Sequence, residues 1–195
     1  MINTGEITQN ITTSQIAGLF PSDFNIEFIA VRDTKKVLFL CAGQTHYFSD
    51  LPLKYFNLIK SAYLKDHKAV SFISEIHEEL KDQIEFYTYH IWGDLDSVPD
   101  IENGVLSDCE NFRDQKNCPS LLWNYKNIKI DNYILTPREL TMIDYMAADY
   151  KDSVIAGAVK VSLSHYDGIK RKLFKATNTQ TKTSLVLKAK DQKVI

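Results

Sequence analysis

The sequence predicts two unlike parts in succession: an α+β part over residues 1–134, a small antiparallel sheet beside helices, then an all-α part of four short helices over residues 135–195. Three observations predict it. Apolar residues alternate or run together between Asn25 and Phe48, they recur at helical spacing between Leu53 and Ile91, and a strong helix start at Thr136 opens a third, wholly helical pattern.

The elements follow in order. Residues 1–20 are polar and rich in Thr, Gln and Asn up to Ile16-Ala17-Gly18-Leu19-Phe20, and are expected to form a loose lead or a short helix. Ile26, Phe28 and Ala30 alternate, Asp33-Thr34-Lys35 supplies a turn, Val37 to Cys41 is a buried-type run, and Gly43-Gln44 precedes Thr45 to Phe48; two or three antiparallel strands are expected. Asp50 is placed to cap the helix that follows. Helical faces are read in Leu53, Phe56, Ile59 and Tyr63, in Val70, Phe72, Ile73 and Ile76, and in Ile84, Tyr87, His90 and Ile91.

Between Gly93 and Asn132 the periodicity weakens, and the segment 93–134 is read as an irregular linker or a functional loop. Its acids Asp94, Asp96, Asp100 and Glu102 have the chemistry of a cation loop but not the register of an EF-hand. Counting from Asp94, Val98 stands fifth, Pro99 sixth where the sharp turn wants Gly, and Val105 twelfth where a bidentate Glu belongs. A solvated acidic loop is expected instead. Cys109 and Cys118 fall short of a zinc set, since only Cys41 and distant histidines such as His90 are left to complete four ligands. Free thiols, no metal and no cofactor are expected.

From Leu135 the signal is sharper. Thr136 suits an N-cap, Pro137 the first helical position, and Glu139 the third position of a capping box. Leu140, Ile143, Met146 and Ala147 continue at helical spacing, so a helix is expected over about Pro137 to Ala148.

Leu135-Thr136-Pro137-Arg138-Glu139, Ile155-Ala156, Val161-Ser162, Leu185-Val186 and Ala189 resemble, without a gap, the helix-turn-helix of LuxR-type (GerE-like) transcription regulators. The resemblance covers the last third of the chain. It implies a helix-turn-helix domain over 135–195, double-stranded DNA as partner, and a fourth helix, about Lys182 to Lys190, that helps form a homodimer. The chain departs from the family pattern at Asp149, where Gly is usual, at His165-Tyr166-Asp167, at Ile169 and at Ala176-Thr177.

Charge is divided in the same way. From Leu135 on there are 11 Lys or Arg against 6 Asp or Glu, a net +5, whereas residues 1–134 carry 12 against 19, a net −7. On the third helix of the last part, Tyr166, Ile169, Lys170, Leu173 and Thr177 share one face. The opposite arc offers Ser164, His165, Asp167, Gly168, Arg171, Lys172 and Lys175, hydrogen-bonding groups first and cations after, an order suited to base edges and phosphates. Gly168 permits a close backbone approach.

Other classes find little support. Phosphate-cradling glycine loops and Gly-x-Ser-x-Gly elbows do not occur, and His77-Glu78-Glu79-Leu80 is followed by Lys81 instead of a second His. Cys41 and His46 could pair as nucleophile and base, but Cys41 ends an apolar run and is read as packing. An alternation of strands and helices around a phosphoacceptor Asp is missing. The aromatic residues Tyr87, Tyr89 and Trp92 are read as core, not as a small-molecule pocket. The expectation is a cytoplasmic DNA-binding regulator, not an enzyme and not membrane-bound, whose N-terminal part senses, assembles or meets a protein partner. The alternative is a protein-interaction module whose helix-turn-helix no longer reads DNA.

Overall fold

The computed structural model describes residues 15–195. The expectation for residues 1–14 lies outside that range. The described chain is mixed α+β, with small antiparallel sheets and seven α-helices.

Three strands, β1 (Glu27–Val31), β2 (Lys36–Cys41) and β3 (Gln44–Tyr47), form an antiparallel sheet in chain order. The register pairs Phe28 with Phe39 and Leu40 with Thr45. The expected alternation puts Ile26 and Phe28 in the core, but Glu27 on the other side of β1 is fully buried too, so both faces are covered there. Ile16 to Phe20 form a turn, not a helix, with Ala17 buried and Leu19 and Phe20 exposed.

Helices α1 (Leu53–Lys65), α2 (His67–Ile73) and α3 (Leu80–Ile91) pack together, and α3 lies against β1 and β2. Asp50 is not an N-cap: it closes a 3-10 turn over Phe48–Asp50, and Pro52 stands at the start of α1. The cap role belongs to Asp66, whose carboxylate accepts the Ala69 N–H at 3.1 Å. Two faces also shift. Leu53, at the first position of α1, is exposed, and α2 buries Ala69 and Ile73 while Phe72 and Ile76 remain exposed. Every residue of the expected α3 face is buried. Gly93 ends α3 where β1 comes closest. A Cβ there would stand 2.3 Å from the Tyr89 carbonyl oxygen and 2.6 Å from Ala30 Cβ, so only glycine lets Ala30 donate to the Gly93 carbonyl at 3.0 Å.

Residues 93–134 are more ordered than expected. They hold two hairpins, β4 (Ile101–Glu102) with β5 (Val105–Leu106) and β6 (Lys129–Ile130) with β7 (Tyr133–Ile134), and a 3-10 turn over Pro119–Leu122. The first hairpin turns on Asn103-Gly104, both at positive φ (50° and 79°), a strong two-residue hairpin signal that the weak apolar periodicity obscured. The acidic stretch is not simply solvated either. Asp100 is fully buried and accepts the Phe28 N–H at 2.7 Å.

The last four helices are α4 (Pro137–Ala147), α5 (Asp152–Ala158), α6 (Leu163–Ala176) and α7 (Lys182–Asp191). The capping box forms as the sequence requires: Glu139 N–H donates to Thr136 Oγ1 at 3.2 Å, and Thr136 N–H to Glu139 Oε2 at 2.9 Å. Leu140, Ile143 and Met146 are buried, joined by Met142, whereas Ala147 is exposed. Asp149 ends this helix at φ 58°, taking the left-handed conformation for which glycine is usual.

Two hydrophobic cores result. The first gathers the sheet, α1–α3, Ile101, Phe112 and Trp123; the second gathers α4–α7 with Ile128, Ile130 and Val194. The change falls between Trp123 and Ile128, ahead of Leu135. Polar contacts tie the cores together: Arg113 pairs with Asp144 at 2.7 Å and donates to the Val194 carbonyl, while Asn111 Nδ2 donates to the Lys129 and Gln192 carbonyls.

Candidate nucleic-acid interface

α5 and α6 are joined by the four residues 159–162. Lys160 makes that turn at φ 56°, and Ser162 caps α6 by accepting the His165 N–H at 3.2 Å. Seating of α6 is apolar. Tyr166, Leu173 and Thr177 are fully buried, and Ile169 and Phe174 pack on the same core. The departure at Ile169 therefore faces inward, away from the exposed arc.

All seven predicted residues lie on one helix, but not with equal access. Ser164, His165, Arg171, Lys172 and Lys175 are exposed, whereas Asp167 and Gly168 are half-buried. Space around Gly168 is open, with no atom within 4 Å of where a Cβ would stand. Among the described residues, Arg171, Lys172 and Lys175 have no carboxylate partner, although Arg171 Nε reaches the Asp167 carbonyl at 3.3 Å. Lys175 lies four residues after Arg171 and three after Lys172, so it neighbours both on the exposed surface of the helix.

Asp167 is not a bare acid. Its carboxylate stands 2.8 Å from Lys170 Nζ, which also meets Asp152 at 2.5 Å, and Lys182 meets Asp152 at 2.6 Å. Burial pushes the Asp152 carboxyl up, but the hydrogen bonds from the two lysines outweigh it and hold the group at about 2. Lys170, expected on the apolar face, instead serves as counter-charge to Asp152 and Asp167, a role that helical spacing does not reveal because Asp152 belongs to another helix. Tyr166 joins this group through its hydroxyl, 3.2 Å from Asp152.

The other sequence candidates go elsewhere. His46 stacks on Phe39 at 4.9 Å, and Cys41 Sγ meets the Phe24 carbonyl at 3.6 Å, so the two do not form a nucleophile and base. Cys109 Sγ takes the Asn127 N–H at 3.1 Å, while Cys118 Sγ sits 3.3 Å from His90 Nδ1 and 3.0 Å from Ser120 Oγ. Both Cys118 and His90 are buried, and burial holds the imidazole down at about 3, hence neutral. Lys126, also buried, donates to the His90 and Glu110 carbonyls, and its burial lowers it to about 8. It thereby satisfies a carbonyl in the last turn of α3.

One cluster was not foreseen. Among the described residues, the one group of His, Cys, Asp and Glu ligand atoms close enough to share an ion is Glu27, Asp96 and Glu110, all within 4.8 Å of one another. Burial raises Glu27 to about 8 and Glu110 to about 9. No helix in the described residues is long and apolar enough to cross a membrane. No protein-family model, curated protein or solved structure matches the chain.

Proposed function

We propose that this chain is a DNA-binding transcription regulator in which α5 and α6 act as a helix-turn-helix and α6 enters the major groove. The observation that carries the reading is the exposed group of Arg171, Lys172 and Lys175, without carboxylate partners among the described residues, on a helix whose other face is anchored in the core. Those cations suit phosphates, and the exposed Ser164 and His165 at the amino end of the helix suit base edges. The resemblance of residues 135–195 to LuxR-type regulators supports the same assignment, and the capped α4 and the left-handed Asp149 suit the family's turn despite the missing glycine.

Asp167 bears on this reading through its neighbour. Its pairing with Lys170 offsets the charge that would otherwise meet the DNA backbone. A homodimer formed through α7 suits the exposed Leu187, and dimers of such modules read two-fold sites. The N-terminal α+β part then senses, assembles or binds a partner, and the protein works in the cytoplasm.

A second reading, a protein-interaction module, is favoured by the acid on the exposed arc. Fluorescence anisotropy with a pool of genomic fragments across a salt series separates the two. A regulator binds tightly, enriches particular fragments and weakens steeply with salt, and Arg171→Ala with Lys172→Ala reduces the salt slope by about one per residue. Absence of binding at low salt by the folded protein sinks the DNA reading.

A further inference from the structure

We propose that Glu27, Asp96 and Glu110 form a binding site for a hard divalent cation of calcium size, which ties β1 to the segment 94–110. Glu27 comes from β1 and the other two from the segment that follows α3, so 83 residues of chain separate the outermost ligands and only the fold brings them together. Their ligand oxygens lie within 4.8 Å of one another, close enough for all three to contact one ion. Three chain carboxylates suit calcium, which takes many protein oxygens in a flexible shell, better than magnesium, which dehydrates reluctantly and is usually held by one or two carboxylates.

Each carboxylate is already held from behind by a backbone amide. Glu27 Oε1 accepts the Asp96 N–H at 2.6 Å, Glu110 Oε2 the Asp94 N–H at 2.7 Å, and Asp96 Oδ1 the Val98 N–H at 2.6 Å. Ligating carboxylates are characteristically oriented in this way by a second layer of hydrogen bonds. The independent observation is the remaining oxygen of Glu27: the residue is fully buried, and Oε2 has no hydrogen-bond partner. An orphaned polar atom in such a place is destabilising unless something fills its valence.

Charge and access agree. Asp94 and Asp100 stand beside the three ligands, and the cations facing the group are Lys193, 2.8 Å from Asp94 and 3.8 Å from Asp96, and the buried Lys126. A cleft of about 310 Å³ lined by Asp94, Asp96, Glu110 and Lys193 opens onto the cluster, giving an ion a way in. Lys193 follows α7, so an ion at this site competes with it and loosens one tie between the tail of the last helix and the N-terminal part.

The test is isothermal titration calorimetry of the full chain with CaCl2 after removal of divalent ions, repeated with MgCl2. The expected result is saturable 1:1 calcium binding, weaker for magnesium. Glu27→Gln and Asp96→Asn weaken it at least about tenfold, and Lys193→Ala tightens it by removing the competing cation. Because Glu27 is buried, its variant is checked for folding by circular dichroism. Asp96, whose side chain is 29% exposed, supplies the readout if Glu27→Gln does not fold. Lack of saturable calcium binding by the folded wild-type chain, equal affinity for magnesium, or unchanged affinity in Asp96→Asn overturns the assignment.

Discussion

The two cores are fixed by polar contacts of opposite reach. In the C-terminal unit the determining bonds are local: Thr136 with Glu139, Ser162 with His165 and Thr181 with Ser184 each span three residues. In the N-terminal unit they are remote. Asp100 reaches Phe28 across 72 residues, Glu27 reaches Asp96 across 69, Asp66 reaches Asn124 across 58, and Glu85 reaches Val37 across 48. A helix cap satisfies orphan amides of its own first turn, so its chemistry is complete within a few residues. A buried acid that closes a loop needs an amide supplied by another part of the chain, and it is stable only after the fold has formed around it. The C-terminal helices can therefore begin from local signals, while the N-terminal unit depends on assembly.

The contact that joins the units should show the largest effect. Arg113 and Asp144 have side chains only 6% and 7% exposed, and the guanidinium also donates twice to the Val194 carbonyl. Arg113→Ala leaves Asp144 buried and without its partner, and the expected loss is about 3–5 kcal/mol in urea unfolding. If the two cores unfold together in the wild type, this variant should separate the transitions, with α4–α7 melting first. A single unchanged transition would mean that Arg113 does not couple them.

Asp66 tests the remote class within the N-terminal unit. Its carboxylate accepts three backbone N–H groups, from Ala69 at 3.1 Å, Asn124 at 2.9 Å and Tyr125 at 2.8 Å, so it caps α2 and pins the chain leaving Trp123. Asp66→Ala should cost about 3 kcal/mol, since charge-assisted bonds to buried amides are lost and the amides are left unpaired. Hydrogen exchange should quicken at Asn124 and Tyr125 as well as at the start of α2. Faster exchange at α2 alone would reduce Asp66 to a local cap.

Thr136→Ala is the local counterpart, with an expected loss of about 1 kcal/mol measured by denaturant midpoint. Its effect should be confined to the first turn of α4, because both partners in the capping box lie there.

The same contrast decides what could be read from the sequence. The helix Pro137 to Ala147 was legible nearly to the residue, and α6 by its apolar face, since caps and apolar spacing both lie within the helix they define. Of the seven arc residues of α6, Ser164, His165, Arg171, Lys172 and Lys175 are exposed as the spacing indicates, whereas Asp167 and Gly168 are half-buried. Asp50 misled because an acid before a helical run looks like a cap, whereas Leu51-Pro52 delays the helix and leaves the acid in a 3-10 turn. The roles of Glu27, Asp100 and Lys126 were not legible at all: each is a charged residue in a pattern that implies solvent, and its burial depends on partners many residues away. Asn103-Gly104 was available as a signal, but hairpin strands of two residues have no periodicity to support it.

The smallest expected effect sharpens the comparison by placing a remote contact inside the local unit. Asp152 on α5 holds Lys170 of α6 and Lys182 of α7, so three helices share one carboxylate. Its folded value of about 2 lies below its ordinary 3.8, which means that the unfolded chain binds more protons in that interval. The stabilisation is therefore fully present above about pH 4 and is lost as pH falls through about 2. Because the carboxylate is partly exposed, salt screens these pairs and their contribution is small, on the order of 1 kcal/mol or less. Acid titration of stability in wild type and Asp152→Asn should diverge above pH 4 and converge toward pH 2, with the gap narrowing in high salt. A gap that persists at pH 2 would show that the Asp152 carboxylate's shape and hydrogen bonding, not its charge, hold α5 against α6. Convergence would show that even a unit built from local caps draws part of its stability from one remote charge.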